Sequence, residues 1–320
     1  MKYIAWGASK LLELYVAEKK DHGVAVCIDS YSTRSNILGV PVVRPDDVNF
    51  DDLSGTVIVI FAASSGAVQS LFSILTLRGL KYGKDFILYS TLFFPAFAEK
   101  FYSRFGLQVD RDACRRYEAF VLNSIKPHHT TVLGTVLLDA IINRIHQASV
   151  PGSIMEVGAF EGGNALALLM LNKKVASRHY FVMDSFEGFP EVSDCDPSQI
   201  LAGDYATKTP YEQILNGFAG FDNIEVIKGF VPASFASLPE DSIFSIVFYD
   251  CDLYQPALDT FRFAWDRLSP GGYMVVHDYC AEAGGFEGVK AAVDEYFGGL
   301  PVTVAEFFEN TMAVIQKPLI

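Results

Sequence analysis

The stretch Ser153-Ile-Met-Glu156-Val-Gly158-Ala-Phe-Glu161-Gly162-Gly163-Asn-Ala-Leu-Ala-Leu168, followed by Arg178-His-Tyr-Phe-Val-Met-Asp184-Ser185-Phe-Glu-Gly-Phe-Pro190, decides the fold of this chain. It reads as a short apolar strand, a glycine-rich turn, an amphipathic helix and a second strand that ends in an acid. That order is half of a nucleotide-binding α/β fold. Gly158 permits a tight turn, and Gly162 and Gly163 let a ligand approach the free N–H groups at the helix start. Asp184, at a strand's carboxyl end, is placed to accept both hydroxyls of a ribose. The glycines do not follow G-x-G-x-x-G, and Glu156 beside the turn discourages a bound pyrophosphate. The pattern therefore favours an uncharged or cationic nucleoside conjugate over a dinucleotide.

The remainder of the chain bounds this reading. Its 320 residues are enough for two ordinary domains, and half of them are hydrophobic. The net charge of −13 argues against a nucleic acid or an anionic membrane as main partner, because a broad basic face would be needed. Five cysteines, Cys27, Cys114, Cys195, Cys251 and Cys280, are dispersed without a C-x-x-C pair, as in a reducing compartment. The first residues read as a strand and turn rather than a signal peptide, and no apolar run is long enough to span a bilayer. A cytoplasmic protein without membrane insertion is expected.

Upstream of the central stretch, residues 2–6, 24–28 and 56–61 read as strands, with Gly7 opening a turn and Asp29 closing the second strand. Ser9 and Leu12 stand where a dinucleotide fingerprint would have glycines. The segment 1–91 is therefore assigned as a small Rossmann-like domain. It resembles those of bacterial sugar-modifying proteins, where it could hold a nucleotide-sugar, although the missing glycines favour a docking or dimerisation module with a vestigial site. Residues 92–150 read as a helical connector and cofactor-site lid. Its phenylalanines (Phe93, Phe94, Phe97, Phe101, Phe105) suggest a bridge or a subunit contact in a homo-oligomer. His128 and His129 sit in a polar turn and read as merely exposed. Residues 151–320 form the principal domain. Within it, 191–220 has the composition of a lid, 223–230 and 242–249 read as strands, and 268–272 as a turn. The run 273–276 reads as the next strand, and 302–308 with 312–316 as a closing antiparallel pair.

In open α/β sheets ligands bind beyond the carboxyl ends of the strands, where Asp250, Asp252, His277 and Asp278 would lie. If the strands ending at Tyr249 and Val276 are neighbours, their ends are about 5 Å apart. Asp250 and Asp278 would then share one divalent cation, with His277 completing the set. Such an ion binds substrate oxygens and lowers a hydroxyl's pKa.

The motifs Glu-Val-Gly-x-x-x-Gly-Gly, Asp184-Ser-Phe-Glu-Gly-Phe-Pro, Lys-Gly-Phe, Asp250-x-Asp-Leu-Tyr, Leu-Ser-Pro-Gly-Gly-Tyr and Asp278-Tyr occur in that order. Over about residues 125–316 the chain resembles the macrocin O-methyltransferase (TylF-like) family. The resemblance implies a class I methyltransferase fold, with a mostly parallel, Rossmann-like seven-stranded sheet preceded here by the small α/β domain. It implies a metal-dependent enzyme that moves a methyl group from S-adenosylmethionine to a hydroxyl of a sugar, a glycosylated natural product or a surface glycan precursor. By the same resemblance Thr130, Glu156, Gly158, Glu161, Asp184, Ser185, Gly229, Phe230 and Asp250 hold the cofactor. By that resemblance Asp250 and Asp278 bind the metal; the reading of the residues adds His277 to that set and makes Asp250 or His277 the base that activates the acceptor hydroxyl. His277 departs from the family pattern, which has a second Asp there. The expected ion is magnesium, with manganese or another transition ion favoured if the imidazole ligates. Two other readings stand beside this one: a nicotinamide-linked oxidoreductase using the first domain, and a non-catalytic sugar- or nucleotide-binding scaffold.

Overall fold

Alternating β-rich runs and helical stretches build two α/β units. The computed structural model describes residues 2–50, 52–62, 65–102, 106–107, 110, 112–123, 132–279, 287–307 and 310–319. One unit comprises Met1–Lys100 and Arg111–Leu133, the other Phe101–Asp110 and Gly134–Ile320. The segment 92–150 is thus divided between them.

The first unit contains β1 (Lys2–Trp6), α1 (Lys10–Glu18), β2 (Val24–Ile28), β3 (Asn36–Ile37), β4 (Val40–Val43), β5 (Thr56–Ile60), α2 (Ser65–Leu77), β6 (Phe86–Leu88), α3 (Tyr89–Phe97) and α4 (Ala113–Asn123). Its sheet has the order β3-β4-β2-β1-β5-β6 and is parallel except at β3. The β-branched run of β5 suits a strand covered on both faces, and Ile58, Val59 and Ile60 are fully buried. Gly7 has φ +113°, and a Cβ there would meet the Phe61 carbonyl oxygen at 2.6 Å, so the turn after β1 requires glycine. Among the phenylalanines expected to bridge, Phe93 and Phe94 are buried, and Phe93 packs on Tyr15, Phe61 and Tyr89 of this unit's own core. The side chains of Phe97 and Phe101, and all of Phe105, lie outside what is described.

The second unit contains α5 (Val132–Gln147), β7 (Ser153–Val157), α6 (Gly163–Leu171), β8 (Tyr180–Asp184), α7 (Tyr211–Asn216), β9 (Ile224–Lys228), β10 (Phe244–Tyr249), α8 (Tyr254–Arg267), β11 (Leu268–Val276), α9 (Glu287–Phe297), β12 (Thr303–Phe307) and β13 (Asn310–Gln316). Its seven strands have the order β12-β13-β11-β10-β7-β8-β9, antiparallel only where β13 pairs β11 and β12. This is the α/β architecture expected for residues 151–320. Aromatic and aliphatic side chains from β10, α8 and α9 share one core with Phe235, from the segment between β9 and β10, which stacks on Phe263 at 4.2 Å, and Phe297 packs against Trp265.

One expectation fails here. The segment 268–272, read as a turn, belongs to β11. Phe244 pairs with Leu268 and Ile246 already with Tyr273, so a register shift absorbs the intervening residues. Gly271 takes φ +79°, and a Cβ on Gly272 would lie 2.8 Å from the Ser245 carbonyl oxygen. Turn-forming residues here serve a bulge inside a strand rather than its end.

The register aligns the functional edge. Tyr249 is paired with Val157 on one side and Val276 on the other, and Val157 with Met183. The next residues along, Asp184, Gly158, Asp250 and His277, therefore form a row across the carboxyl edge of four adjacent strands. Among the described residues no helix is long and apolar enough to cross a membrane.

Candidate active site

The row has two halves. The first is the turn from β7 into α6. Gly158 has φ +89°, and a Cβ would fall 2.2 Å from the Asp250 carbonyl oxygen, so glycine is what lets this turn lie against the end of β10. Gly162, also left-handed at φ +76°, lies under the Phe218 ring, which a Cβ would meet at 2.4 Å. Asp184 closes β8 and binds back across the turn. Its Oδ2 accepts the Phe160 N–H at 2.8 Å and its Oδ1 the Phe186 N–H at 2.6 Å. Burial raises this carboxyl to about 6 against the pull of those N–H groups, and Asp250 adds to the rise. The Gly229 N–H donates to the Asp184 carbonyl at 2.9 Å, which brings the Gly229–Phe230 turn to the same edge. Phe230 is partly exposed there.

Glu156 sits beneath this turn and is buried. Its Oε1 accepts from Asn164 Nδ2 at 3.1 Å and its Oε2 from the Tyr180 hydroxyl. Burial raises Glu156 to about 7, although both hydrogen bonds oppose the rise. Glu161 is also buried and accepts the Thr207 hydroxyl at 2.5 Å, which ties the loop after β8 to the turn. Ser185 donates to the Gly188 carbonyl at 2.8 Å and accepts the Glu187 N–H, so it shapes the same loop. Thr130, with His128 and His129, lies outside the described residues.

The second half is a cluster of Asp250, Asp252, His277 and Asp278, each offering a ligand atom within 4.8 Å of the others. His277 Nδ1 stands 2.8 Å from Asp250 Oδ1 and 2.8 Å from Asp278 Oδ2. Burial alone would lower the imidazole's pKa, but the two carboxylates outweigh it and hold the ring well above the usual histidine range. Asp252 is pushed well up by burial first and then by Asp278 and Asp250, and it shares a hydrogen bond with Asp278. Asp278 is held low: burial works against this, and His277 overcomes it.

Asp252 joins Asp250, His277 and Asp278, the three ligands expected from the sequence. Its signal in the sequence is the Asp-x-Asp spacing after a strand; the chain takes left-handed backbone at Asp252 (φ +62°) and at Asp278 (φ +56°), and the two carboxyl groups meet. The non-glycine residues with positive φ gather here. Phe160, Phe186, Tyr205, Asp252 and Asp278 lie at or near this edge, and only Leu38 and Ser149 lie elsewhere among the described residues.

The donor set fits a divalent cation. Opposite ligands on one ion, each roughly 2.0–2.6 Å from it, span about the distance seen between these atoms.

Residues 129–299 match the profile of a family described as Macrocin-O-methyltransferase (TylF). The chain is similar to mycinamicin III 3''-O-methyltransferase of Micromonospora griseorubida, 26% identical over 182 residues that cover 52% of this chain and 69% of that one. It is also similar to 8-demethyl-8-(2,3-dimethoxy-alpha-L-rhamnosyl)-tetracenomycin-C 4'-O-methyltransferase of Streptomyces olivaceus, at 27% identity over 52% of this chain and 67% of the relative. Among solved structures, the O-methyltransferase NovP aligns with 72% of this chain and 99% of its own, with 20% identity and a TM-score of 0.49.

Proposed function

The chain belongs to the macrocin O-methyltransferase family and is an S-adenosylmethionine-dependent O-methyltransferase, and from that premise we propose that it methylates a hydroxyl of a sugar, on a glycosylated natural product or a surface glycan precursor, with the help of a divalent cation. The observation that carries the proposal is the continuity of the strand-end row. The Gly158–Asp184 half, suited to a nucleoside, abuts a cluster of acids and imidazole suited to a cation and to an acceptor hydroxyl. The relative from Streptomyces olivaceus is titled for an acceptor that carries a rhamnosyl group, and this supports a sugar here.

S-adenosylmethionine supplies a methyl group on a sulfonium, and a cation held by Asp250, Asp252, His277 and Asp278 would supply a Lewis acid for the acceptor oxygen. The protein's own part is positional. Asp184 receives the ribose hydroxyls, and the Gly158 turn leaves backbone room for the nucleoside beside it. Gly229 and Phe230 border that space. Asp250, with His277 at its side, takes the proton of the acceptor hydroxyl as its oxygen attacks the methyl carbon opposite the sulfur. The C–S bond breaks with its electron pair going to sulfur, which leaves S-adenosylhomocysteine and a methyl ether. Most of the rate then comes from alignment of the two reactants. The proposal places the enzyme in the cytoplasm, as a homo-oligomer.

The test compares two variants by calorimetry and by turnover on a panel of glycosides and nucleotide-sugars. Asp184→Ala should lose S-adenosylmethionine binding. Asp250→Asn should bind it within about threefold of wild type and lose turnover by a factor of about 10³ or more. Turnover retained in Asp250→Asn would remove Asp250 from the chemistry. Absence of cofactor binding in the wild type would favour a scaffold.

A further inference from the structure

One donor of the strand-end cluster is a nitrogen, and it is firmly placed. His277 is 6% exposed, its backbone N–H donates to the Tyr249 carbonyl at 2.9 Å, and its ring stands edge-on to Phe248. Nδ1, not Nε2, is the atom that faces both Asp250 and Asp278 at 2.8 Å. Nε2 is buried and has no hydrogen-bond partner among the described residues, so none of their carboxylates or carbonyls competes to turn the ring around.

We infer that His277 makes this a site for a divalent first-row transition ion, with manganese bound in preference to magnesium, through Nδ1. The inference rests on the metal-assisted reading above and specifies its ion. Magnesium demands near-ideal octahedral oxygen coordination and gives up its waters reluctantly, so a fixed imidazole among its ligands is unfavourable. Manganese accepts carboxylates as readily and takes imidazole as well, and affinity rises further along the first row. The carboxylates of Asp250, Asp252 and Asp278 keep the site suitable for a hard-to-borderline ion rather than one needing thiolates. The ring would ligate through the Nδ1 lone pair with its hydrogen on Nε2, and Nδ1 already points at the carboxylates of Asp250 and Asp278.

The experiment uses the full chain, stripped of metal by a chelator and titrated separately with Mn²⁺ and Mg²⁺ in a calorimeter. Pulsed electron paramagnetic resonance is then recorded on the Mn²⁺-loaded protein. Wild type should bind Mn²⁺ at least about tenfold more tightly than Mg²⁺ and show modulation from a directly bound nitrogen. His277→Asp should keep Mn²⁺ binding, lose the nitrogen modulation, and bring the two ions to within about threefold. His277→Gln, close in size and with an oxygen donor, provides the same comparison if the aspartate variant does not fold. Equal affinities in the wild type, or no nitrogen signal, would overturn the inference while leaving a metal-assisted enzyme intact. Binding of neither ion at millimolar concentration would overturn both the inference and the metal-assisted reading.

Discussion

At the scale of the residue, Glu156 shows how a site stores cost in its foundations. The carboxyl is wholly buried and held near 7, whereas its ordinary value is 4.5. In the unfolded chain it ionises around that ordinary value, so between the two values the folded protein binds more protons than the unfolded one. Stability from this group is therefore full at low pH and is lost as pH rises through the window from 4.5 to about 7. The loss is of order 3 kcal/mol. Asp184 acts in the same sense between 3.8 and about 6. Glu156→Gln keeps an acceptor for Asn164 and offers Tyr180 an N–H, so it should flatten the decline. Urea denaturation at pH 5, 6, 7 and 8 should show wild type falling and the variant falling less, with the variant at least as stable at pH 8. Parallel curves would refute the account. Gly158→Ala is the harsher change. Its Cβ would meet the Asp250 carbonyl at 2.2 Å from a left-handed backbone, so β7 and β10 would have to part at their ends. A loss of about 2–4 kcal/mol is expected by chemical denaturation, with S-adenosylmethionine affinity falling alongside. Wild-type stability in this variant would mean that the turn is not packed as described.

At the scale of the element, the strands are legible as apolar runs rich in β-branched and aromatic residues, and the shared register at the carboxyl ends of β8, β7, β10 and β11 delivers the strand-end row. Asp184, Asp250 and Asp278 could be read as strand-end acids for this reason. What could not be read was anything that depends on two segments meeting. Asn164 and Tyr180 look like an ordinary helix polar residue and a strand aromatic until Glu156 is found between them. The turn-like 268–272 became part of β11 because Gly272 packs on Ser245 of the neighbouring strand. The loop after β8 is similar. Its Phe189 N–H donates to the Asp204 carbonyl, Phe189 packs with Ile200 and Leu253, and Asp196 reaches the start of α8. Asp196 Oδ1 accepts the Tyr254 N–H at 2.7 Å and Oδ2 accepts from Ser193, so one side chain caps α8 and closes the loop. Gly288 lies so near that a Cβ would meet Asp196 Oδ1 at 2.3 Å. Asp196→Ala should cost about 1–2 kcal/mol and speed limited proteolysis within residues 190–210. Asp196→Asn, which retains the acceptor at Oδ1, should recover part of both. A proteolysis pattern unchanged in Asp196→Ala would show that the loop is held by its apolar contacts alone.

At the scale of the whole molecule, the chain's contacts divide into two units, and each has its own core and its own buried carboxylate network. In the first unit Glu118 is fully buried and accepts hydrogen bonds from Tyr82, Ser90 and Thr91, with the Cys114 thiol at 3.5 Å. Nothing in the sequence marks Glu118, because three of its four partners, Tyr82 before β6 and Ser90 and Thr91 in α3, lie 27 to 36 residues away along the chain. Removing the carboxylate leaves three hydroxyls and a thiol without this acceptor, and those of Ser90 and Cys114 are buried. Glu118→Ala should therefore destabilise the first unit by about 3–5 kcal/mol. The described residues of the strand-end row all belong to the second unit, so S-adenosylmethionine affinity should stay within about twofold of wild type. The chain supplies its own reporters, since its two tryptophans are Trp6 in the first unit and Trp265 in the second. In a Trp265→Phe background, fluorescence in rising urea should show the Glu118→Ala transition moved to lower concentration. In a Trp6→Phe background the transition should stay in place. Coincident shifts of both transitions, with loss of cofactor binding, would mean instead that the two units unfold as one cooperative body. The first unit would then be part of what holds the methyl-transfer site in shape.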